Sequence, residues 1–404
     1  MGNSVSELQV NIQMVDLQRQ YHRLQNEIDA ALLATVEKGQ FINGPEVKSF
    51  AGKLADYLDV PYVIPCANGT DALQIALMAL TLKPGDEVIV PAFCYVAAAE
   101  VVALLGLTPV WADVDPDTFM VTADTLAKAC SSRTKAIVVA HLFGQCCDMD
   151  SILSFASRQN LYVIEDNAQS MGAVYRFPGG QTRMAGTMGV IGTTSFFPSK
   201  PLACYGDGGA MFTHDQQLAN TLRMIANHGQ QSKYHHQRVG CNSRLDSIQA
   251  AVLEVKLSHL DEFNKARQKV ADRYDEGFKR CKGIKVPQRT ASSTHVFHQY
   301  TLQVNNGKRD ALQQFLKRRN IPSMVYYPLP LNEQHAFRQA VRPVEKPEVA
   351  SQLCKTVLSL PIHTEMREDE IQYIIQQVNA FSNRTDYKPD ASNNTYMPIR
   401  NEEP

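Results

Sequence analysis

The sequence predicts an α/β protein: a large domain with a mostly parallel seven-stranded sheet, followed by a smaller C-terminal α+β domain. Three observations carry this reading. Seven short apolar runs alternate with helix-like segments up to about residue 260. Several of these runs are continuous in Val and Ile rather than alternating, as expected of strands covered on both faces. Beyond residue 260 the pattern changes to a long charged helix and then a few strands and helices of mixed order, which marks a second unit.

The candidate strands are residues 62–65, 87–90, 109–114, 136–140, 162–165, 192–196 and 210–213. Helical segments such as 71–80 and 96–105 lie between them. Strand and helix repeated in this way favour parallel pairing through crossover helices. From Ser243 a helical pattern begins. Leu245, Ile248, Val252 and Val255 share one face, and Ser243 with Asp246 three residues on reads as a capping box. Charged helix continues through 263–279 into the second unit. There strands are expected at 297–304 and 323–327, and helices at 308–319 and 369–381. The expected division is 1–260, 261–383 and a polar Pro/Asn-rich tail, 384–404.

Bulk properties exclude several function classes. Hydrophobic residues make up 44% and charged residues 20%, which is ordinary for a globular protein. The formal net charge is −1, so no global field draws the chain to nucleic acid or an acidic membrane. No apolar run reaches the roughly 18 residues of a membrane span, and no positively charged start precedes an apolar core as in a signal peptide. Met1 to Ser6 fit the loose N-myristoylation pattern, against the alternative of an unmodified N-terminus. Nine cysteines without CxxC pairs or zinc spacing point to free thiols in a reducing cytoplasm and to no metal site.

The chemistry centres on Phe197-Pro198-Ser199-Lys200-Pro201. One lysine stands between two prolines that stiffen its surroundings, after a β-branched stretch and before the glycine-rich turn at 205–209. That turn lacks G-x-G-x-x-G spacing and leads into a strand, which rules out a dinucleotide fingerprint. Earlier, the apolar run 161–164 ends in Glu165-Asp166, where a carboxylate is costly without a partner. A strand-end aspartate and a rigidly held lysine are what a pyridoxal phosphate (PLP) enzyme needs. The lysine forms a Schiff base with the cofactor aldehyde, and the aspartate keeps the pyridine nitrogen protonated. Gln169, one turn on, is placed to reach the phenolic oxygen. Gly69 and Thr70 follow a strand and open a helix, a ready anion site, or a plain turn with Thr70 as its cap. Ser195 offers a further hydroxyl to the same phosphate. Tyr95, after the 87–90 strand, either stacks on a ring or packs in the core.

These pieces in this order resemble the DegT/DnrJ/EryC1/StrS family of PLP-dependent sugar aminotransferases, of fold type I, over roughly residues 12–381. The matching stretches are GPEV at 44–47, CANGTDAL at 66–73, PAFCYVAAAE at 91–100, VIEDNAQSMGA at 163–173, TSFFPSKPLACYGDGGAMFT at 194–213 and VGCNSRLDSIQAA at 239–251. Residues 196–202 and 234–240 look most like the UDP-2-acetamido-2-deoxy-3-ketoglucuronate aminotransferases. The resemblance implies that Lys200 is the Schiff-base lysine, Asp166 the pyridine partner and Gln169 the contact to the phenolic oxygen. It likewise implies that Gly69, Thr70 and Ser195 cradle the phosphate and that Tyr95 stacks on the ring. Asn242 matches a residue that reaches the phosphate across a dimer interface, which implies a homodimer with shared active sites. His236, Arg244 and Tyr327 are the candidate substrate contacts. Cys94 and Ala98 stand where threonine is more usual. Asn167 and Ala203 replace Ala and Gly, and Cys241 stands where Tyr or Val is commoner. None of these changes removes a reacting group.

The implied activity is ping-pong transamination of a UDP-linked 3-keto-N-acetylhexosaminuronate, with glutamate as amino donor, making an amino sugar for surface polysaccharide. The alternatives are a dTDP- or UDP-4-keto-6-deoxy sugar as acceptor, or a non-catalytic regulatory protein that binds PLP or a sugar nucleotide. A branch of the family dehydrates sugars with a histidine in place of the lysine, and Lys200 argues against that chemistry.

Overall fold

The computed structural model describes residues 12–337 and 346–383. The N-terminal myristoylation pattern and the polar tail lie outside the described residues. Two helices come first, α1 (Leu17–Lys38) and α2 (Pro45–Leu58). Asp16 caps α1 by accepting from the Arg19 backbone N–H at 2.9 Å. Pro45 opens α2, where its missing N–H costs nothing.

The large sheet is built from β1 (Tyr62–Cys66), α3 (Gly69–Ala79), β2 (Glu87–Pro91), α4 (Ala97–Leu104), β3 (Thr108–Ala112), α5 (Ala123–Ala129), β4 (Thr134–Ala140), α6 (Met149–Gln159) and β5 (Tyr162–Asp166). A small hairpin, β6 (Val174–Arg176) with β7 (Thr182–Met184), precedes β8 (Ile191–Ser195) and β9 (Gly209–Thr213). The strand order is β1-β9-β8-β5-β4-β2-β3. The pairs β2/β3, β2/β4, β4/β5 and β5/β8 are parallel, and β9 runs antiparallel to both β8 and β1. The seven expected strands are therefore the seven of this sheet. Every residue of β2 and of β9 is buried, which fits the apolar runs 88–90 and 210–212 within them.

Antiparallel neighbours need no crossover helix, so β8 returns into β9 through the loop that carries Lys200. Because β1 and β8 both oppose β9, the carboxyl ends of β1, β2, β4, β5 and β8 share one edge of the sheet. Phe196 anchors the start of the loop. Its ring is fully buried, edge-on to Phe50 of α2 at 5.4 Å, a burial that stabilises by about 1.5–3 kcal/mol.

After β9 come α7 (Gln216–Ala226), a two-stranded excursion of β10 (Gln230–Ser232) and β11 (His235–His236), α8 (Ser247–Ser258) and α9 (Leu260–Phe278). The C-terminal part adds β12 (Ile284–Lys285), β13 (Tyr300–Val304), α10 (Arg309–Lys317), α11 (Glu348–Thr356), β14 (Val357–Leu360) and α12 (Glu368–Ser382). Strands β12, β13 and β14 form a separate antiparallel sheet. It shares an apolar core with α9, α10 and α12 through Tyr274, Leu312, Phe315, Ile374 and Val378.

Three expectations differ from the structure. The helix expected from Ser243 begins at Ser247, with Asp246 at its N-cap and no side-chain capping bond. Ser243 Oγ instead accepts from the Ala67 backbone N–H at 3.0 Å, a long-range bond that no local pattern encodes. Residues 323–327 form no strand, and only Met324 bridges Ser359. The strand expected over 297–304 starts at Tyr300, because Phe297 sits at φ +50°, outside the extended region.

Candidate active site

The turn after β1 is organised by Asn68, not by Thr70. Asn68 is the N-cap of α3, and its side chain accepts from the Asp71 N–H at 2.8 Å. Its carbonyl takes the Ala72 N–H at 3.1 Å. The N–H groups of Gly69 and Thr70 then open the helix without intrahelical partners, and the helix dipole adds to their pull on an anion. A Cβ at Gly69 would lie 2.6 Å from Ser195 Cβ, so glycine is what lets the helix start meet the end of β8. Gly69, Thr70 and Ser195 line one cavity of about 570 Å³ together with Tyr95, Asp166, Gln169, Lys200 and Tyr327.

The end of β5 is fixed from below. Glu165 is fully buried and accepts from the N–H groups of Gly186 at 2.9 Å and Met188 at 2.6 Å, and from that of Gly189. His141 Nε2 lies 2.7 Å from the same carboxylate. His141 Nδ1 takes the Cys147 backbone N–H at 3.2 Å. A backbone N–H can only donate, so Nδ1 is unprotonated and the ring proton sits on Nε2, toward Glu165. The His141 N–H also donates to the Asp166 carbonyl at 3.1 Å.

Asp166 is held on this support with its carboxylate at the cavity. Oδ1 accepts from the Ala168 N–H at 3.0 Å, and Oδ2 has no hydrogen-bond partner among the described residues. Burial pushes its carboxyl pKa up, opposed by the Ala168 N–H and by the positive potential of Lys200. Lys200 follows a turn closed by its own N–H to the Phe197 carbonyl at 2.8 Å. Its amine has no partner among the described residues, and burial pulls its pKa below the ordinary lysine value while Asp166 pulls the other way. Gln169 is oriented by two bonds: Oε1 accepts from the Phe143 N–H at 2.7 Å and Nε2 donates to the Tyr327 hydroxyl at 3.2 Å. Tyr95 is 56% exposed in the single chain.

The remaining expected residues lie elsewhere in the single chain. Arg244 lines a separate cavity with Asn43 and Gly44. Asn242 is exposed and bridges Asn227. His236 is exposed on β11, with Nδ1 2.8 Å from the His228 carbonyl oxygen. The structure adds Asn68, Phe143, His298 and Tyr326 to the Lys200 cavity. The capping rule was enough to find Asn68. The other three come from distant segments and carry no local signal.

These groups fit PLP. A carboxylate oxygen that lines the cavity without a partner suits a pyridinium N–H, the N–H pair at the start of α3 suits a phosphate, and an unpaired amine stands beside both. Among the described residues no group of three or more His, Cys, Asp or Glu could hold a metal ion, and no helix is long and apolar enough to cross a membrane.

The model of the DegT/DnrJ/EryC1/StrS aminotransferase family matches residues 22–379. The chain is 46% identical over 363 residues to the UDP-2-acetamido-2-deoxy-3-oxo-D-glucuronate aminotransferase of Pseudomonas aeruginosa, covering 90% of this chain and 98% of the relative. It is 41% identical over 375 residues to the pleiotropic regulatory protein of Geobacillus stearothermophilus, covering 92% of this chain and 99% of the relative. Among solved structures, S. venezuelae DesV in complex with a ketimine intermediate matches with a TM-score of 0.89 and 36% identity, covering 93% of this chain and all of that one. The chain belongs to the DegT/DnrJ/EryC1/StrS family, whose members are PLP-dependent sugar aminotransferases.

Proposed function

We propose that the protein transfers an amino group from glutamate to C3 of a UDP-linked 3-keto-N-acetylhexosaminuronate, in the cytoplasm, to make an amino sugar for surface polysaccharide. The observation that carries the aminotransferase reading is the pairing of Lys200 with Asp166 over one cavity that also holds the free helix start of α3. The sugar is the one named for the Pseudomonas aeruginosa relative. PLP, when bound, supplies an aldehyde that carries the amino group and a ring that takes up the electron pair of a broken C–H bond.

The chain's own groups supply the rest. Gly69, Thr70 and Ser195 bind the phosphate. Asp166 pairs with the ring nitrogen and keeps it protonated. Gln169, fixed by Phe143 and Tyr327, meets the phenolic oxygen, and Tyr95 covers the ring. The Lys200 amine, held more in its free form by its lowered pKa, moves a proton at the donor α-carbon and returns it at the sugar carbon. Asn242 completes the phosphate site of a partner subunit in a homodimer, and its exposure on one chain agrees with that role. Arg244 and His236 are placed on the sugar from the partner's side, and Tyr327 from the same chain. The division at residue 260 separates the PLP-binding domain from the small one, and it coincides with the start of α9.

The test is spectroscopic. The purified protein with PLP is expected to be yellow, to lose that band on adding glutamate, and to regain it with the UDP-3-keto-uronate in preference to dTDP- or UDP-4-keto-6-deoxy sugars. A band that responds to no amino donor would support a regulatory role instead.

A further inference from the structure

His298 has no role in the account above, yet it lines the Lys200 cavity and is only 6% exposed. It comes from the C-terminal part of the chain, in the approach to β13. This segment is pressed onto the turn after β4. The Val296 N–H donates to the Gly144 carbonyl at 2.8 Å and the Gln299 N–H to the Phe143 carbonyl at 3.3 Å. Gly144 has φ +116°, and a Cβ there would lie 3.0 Å from the backbone nitrogen of His298 and 2.7 Å from that of Phe297, so the approach requires glycine.

Neither ring nitrogen of His298 has a hydrogen-bond partner among the described residues. Nδ1 is sealed from solvent, whereas Nε2 is not. The charged groups that act on the ring are Lys200 and Arg267, both cations. With burial, they hold the imidazole pKa well below its ordinary value and the ring neutral. A neutral imidazole carries one N–H. On Nδ1 that proton would be a buried donor without an acceptor, a rarer and costlier defect than an idle lone pair. The proton therefore sits on Nε2, as a neutral donor open to the cavity.

Within one chain, the groups suited to the phosphate and the ring come from the carboxyl edge of the large sheet. His298 approaches from the other part of the chain, and its neutral N–H offers a hydrogen bond without a charge, a contact that a hydroxyl or keto oxygen accepts. We propose that His298 contacts the sugar, donating its Nε2–H to a hydroxyl or keto oxygen of the hexose. This rests on the sugar-nucleotide reading of the cavity.

The test is calorimetric binding of UDP-N-acetylglucosamine and UDP-glucuronate to the PLP-loaded enzyme and to its His298→Leu, His298→Met and His298→Gln variants. The apolar variants are expected to bind roughly 3–10-fold more weakly, the loss of one neutral hydrogen bond. The Gln variant, which keeps an N–H, is expected to recover most of the affinity, with the cofactor absorbance band unmoved in all variants. Wild-type affinity in both apolar variants overturns the proposal. A displaced cofactor band without rescue by Gln also overturns it, in favour of a packing role. If the wild type binds neither sugar nucleotide, the substrate class itself fails and the proposal falls with it.

Discussion

Lys200 and Asp166 act on each other through the same low-dielectric pocket. Burial works against the charge of each, and each partly offsets the cost for the other. For Lys200 burial is the larger influence, so its pKa falls below the ordinary 10.5. A lowered lysine pKa leaves more free amine at a given pH, and the amine is the nucleophile. In cofactor-free protein, the rate at which added PLP becomes covalently bound, followed by absorbance, is expected to rise with pH through an inflection below 10.5. An inflection at the ordinary lysine value would contradict the burial argument. Both residues were legible in the sequence, because proline on either side of Lys200 and a charged end to an apolar run are local features. His141 was not. Its value lies in its bonds to Glu165 and Cys147, which tertiary folding alone brings together.

At the scale of elements, the site depends on how α3 starts. Asn68 caps the helix, Gly69 lets it touch β8, and Gly209 at the start of β9 makes room for the Asn68 backbone, where a Cβ would meet the carbonyl at 2.5 Å. Asn68→Ala is expected to cost about 0.5–2 kcal/mol in urea unfolding of the cofactor-free protein and to weaken PLP binding as well. Gly69→Ala is expected to leave helix propensity no worse yet to abolish tight PLP binding, because the new methyl collides with Ser195. Unchanged cofactor affinity in Gly69→Ala would exclude this helix start as the phosphate site. The strands and helices of the large sheet were readable because period and apolar continuity are local. The capping box at Ser243 and the strand at 323–327 failed because partners far away in sequence use those residues differently. Ser243 is taken by Ala67, and β13 already pairs with β12 and β14.

For the whole molecule, several histidines are buried in neutral form. His363 is lowered to about 4, mainly by burial, with Asp16 and Glu370 opposing and Arg19 and Arg267 assisting. His295, stacked on Phe297 at 3.8 Å, is lowered to about 3 by burial and Arg289. Both have an ordinary value of 6.5 in the unfolded chain. The unfolded chain therefore binds more protons below that pH. The stability they contribute is complete above about pH 6.5 and declines as pH falls toward their folded values, by at most about 1.4 kcal/mol per pH unit for each histidine. Urea unfolding at pH 7.5 and pH 5 is expected to show this loss, and His363→Asn to reduce it. Equal stability at both pH values would refute it. The sequence revealed the two-part architecture and the cofactor chemistry, but not how segments as distant as Gly69 and Tyr327 enclose a single cavity. It also could not place Asn242, His236 and Arg244, which lie away from that cavity in one chain. The most direct test of the central claim is borohydride reduction of the PLP-loaded protein followed by peptide mapping. The label is expected on the peptide containing Lys200. A label on another lysine, or none, would contradict the assignment of this cavity as the site of amino transfer.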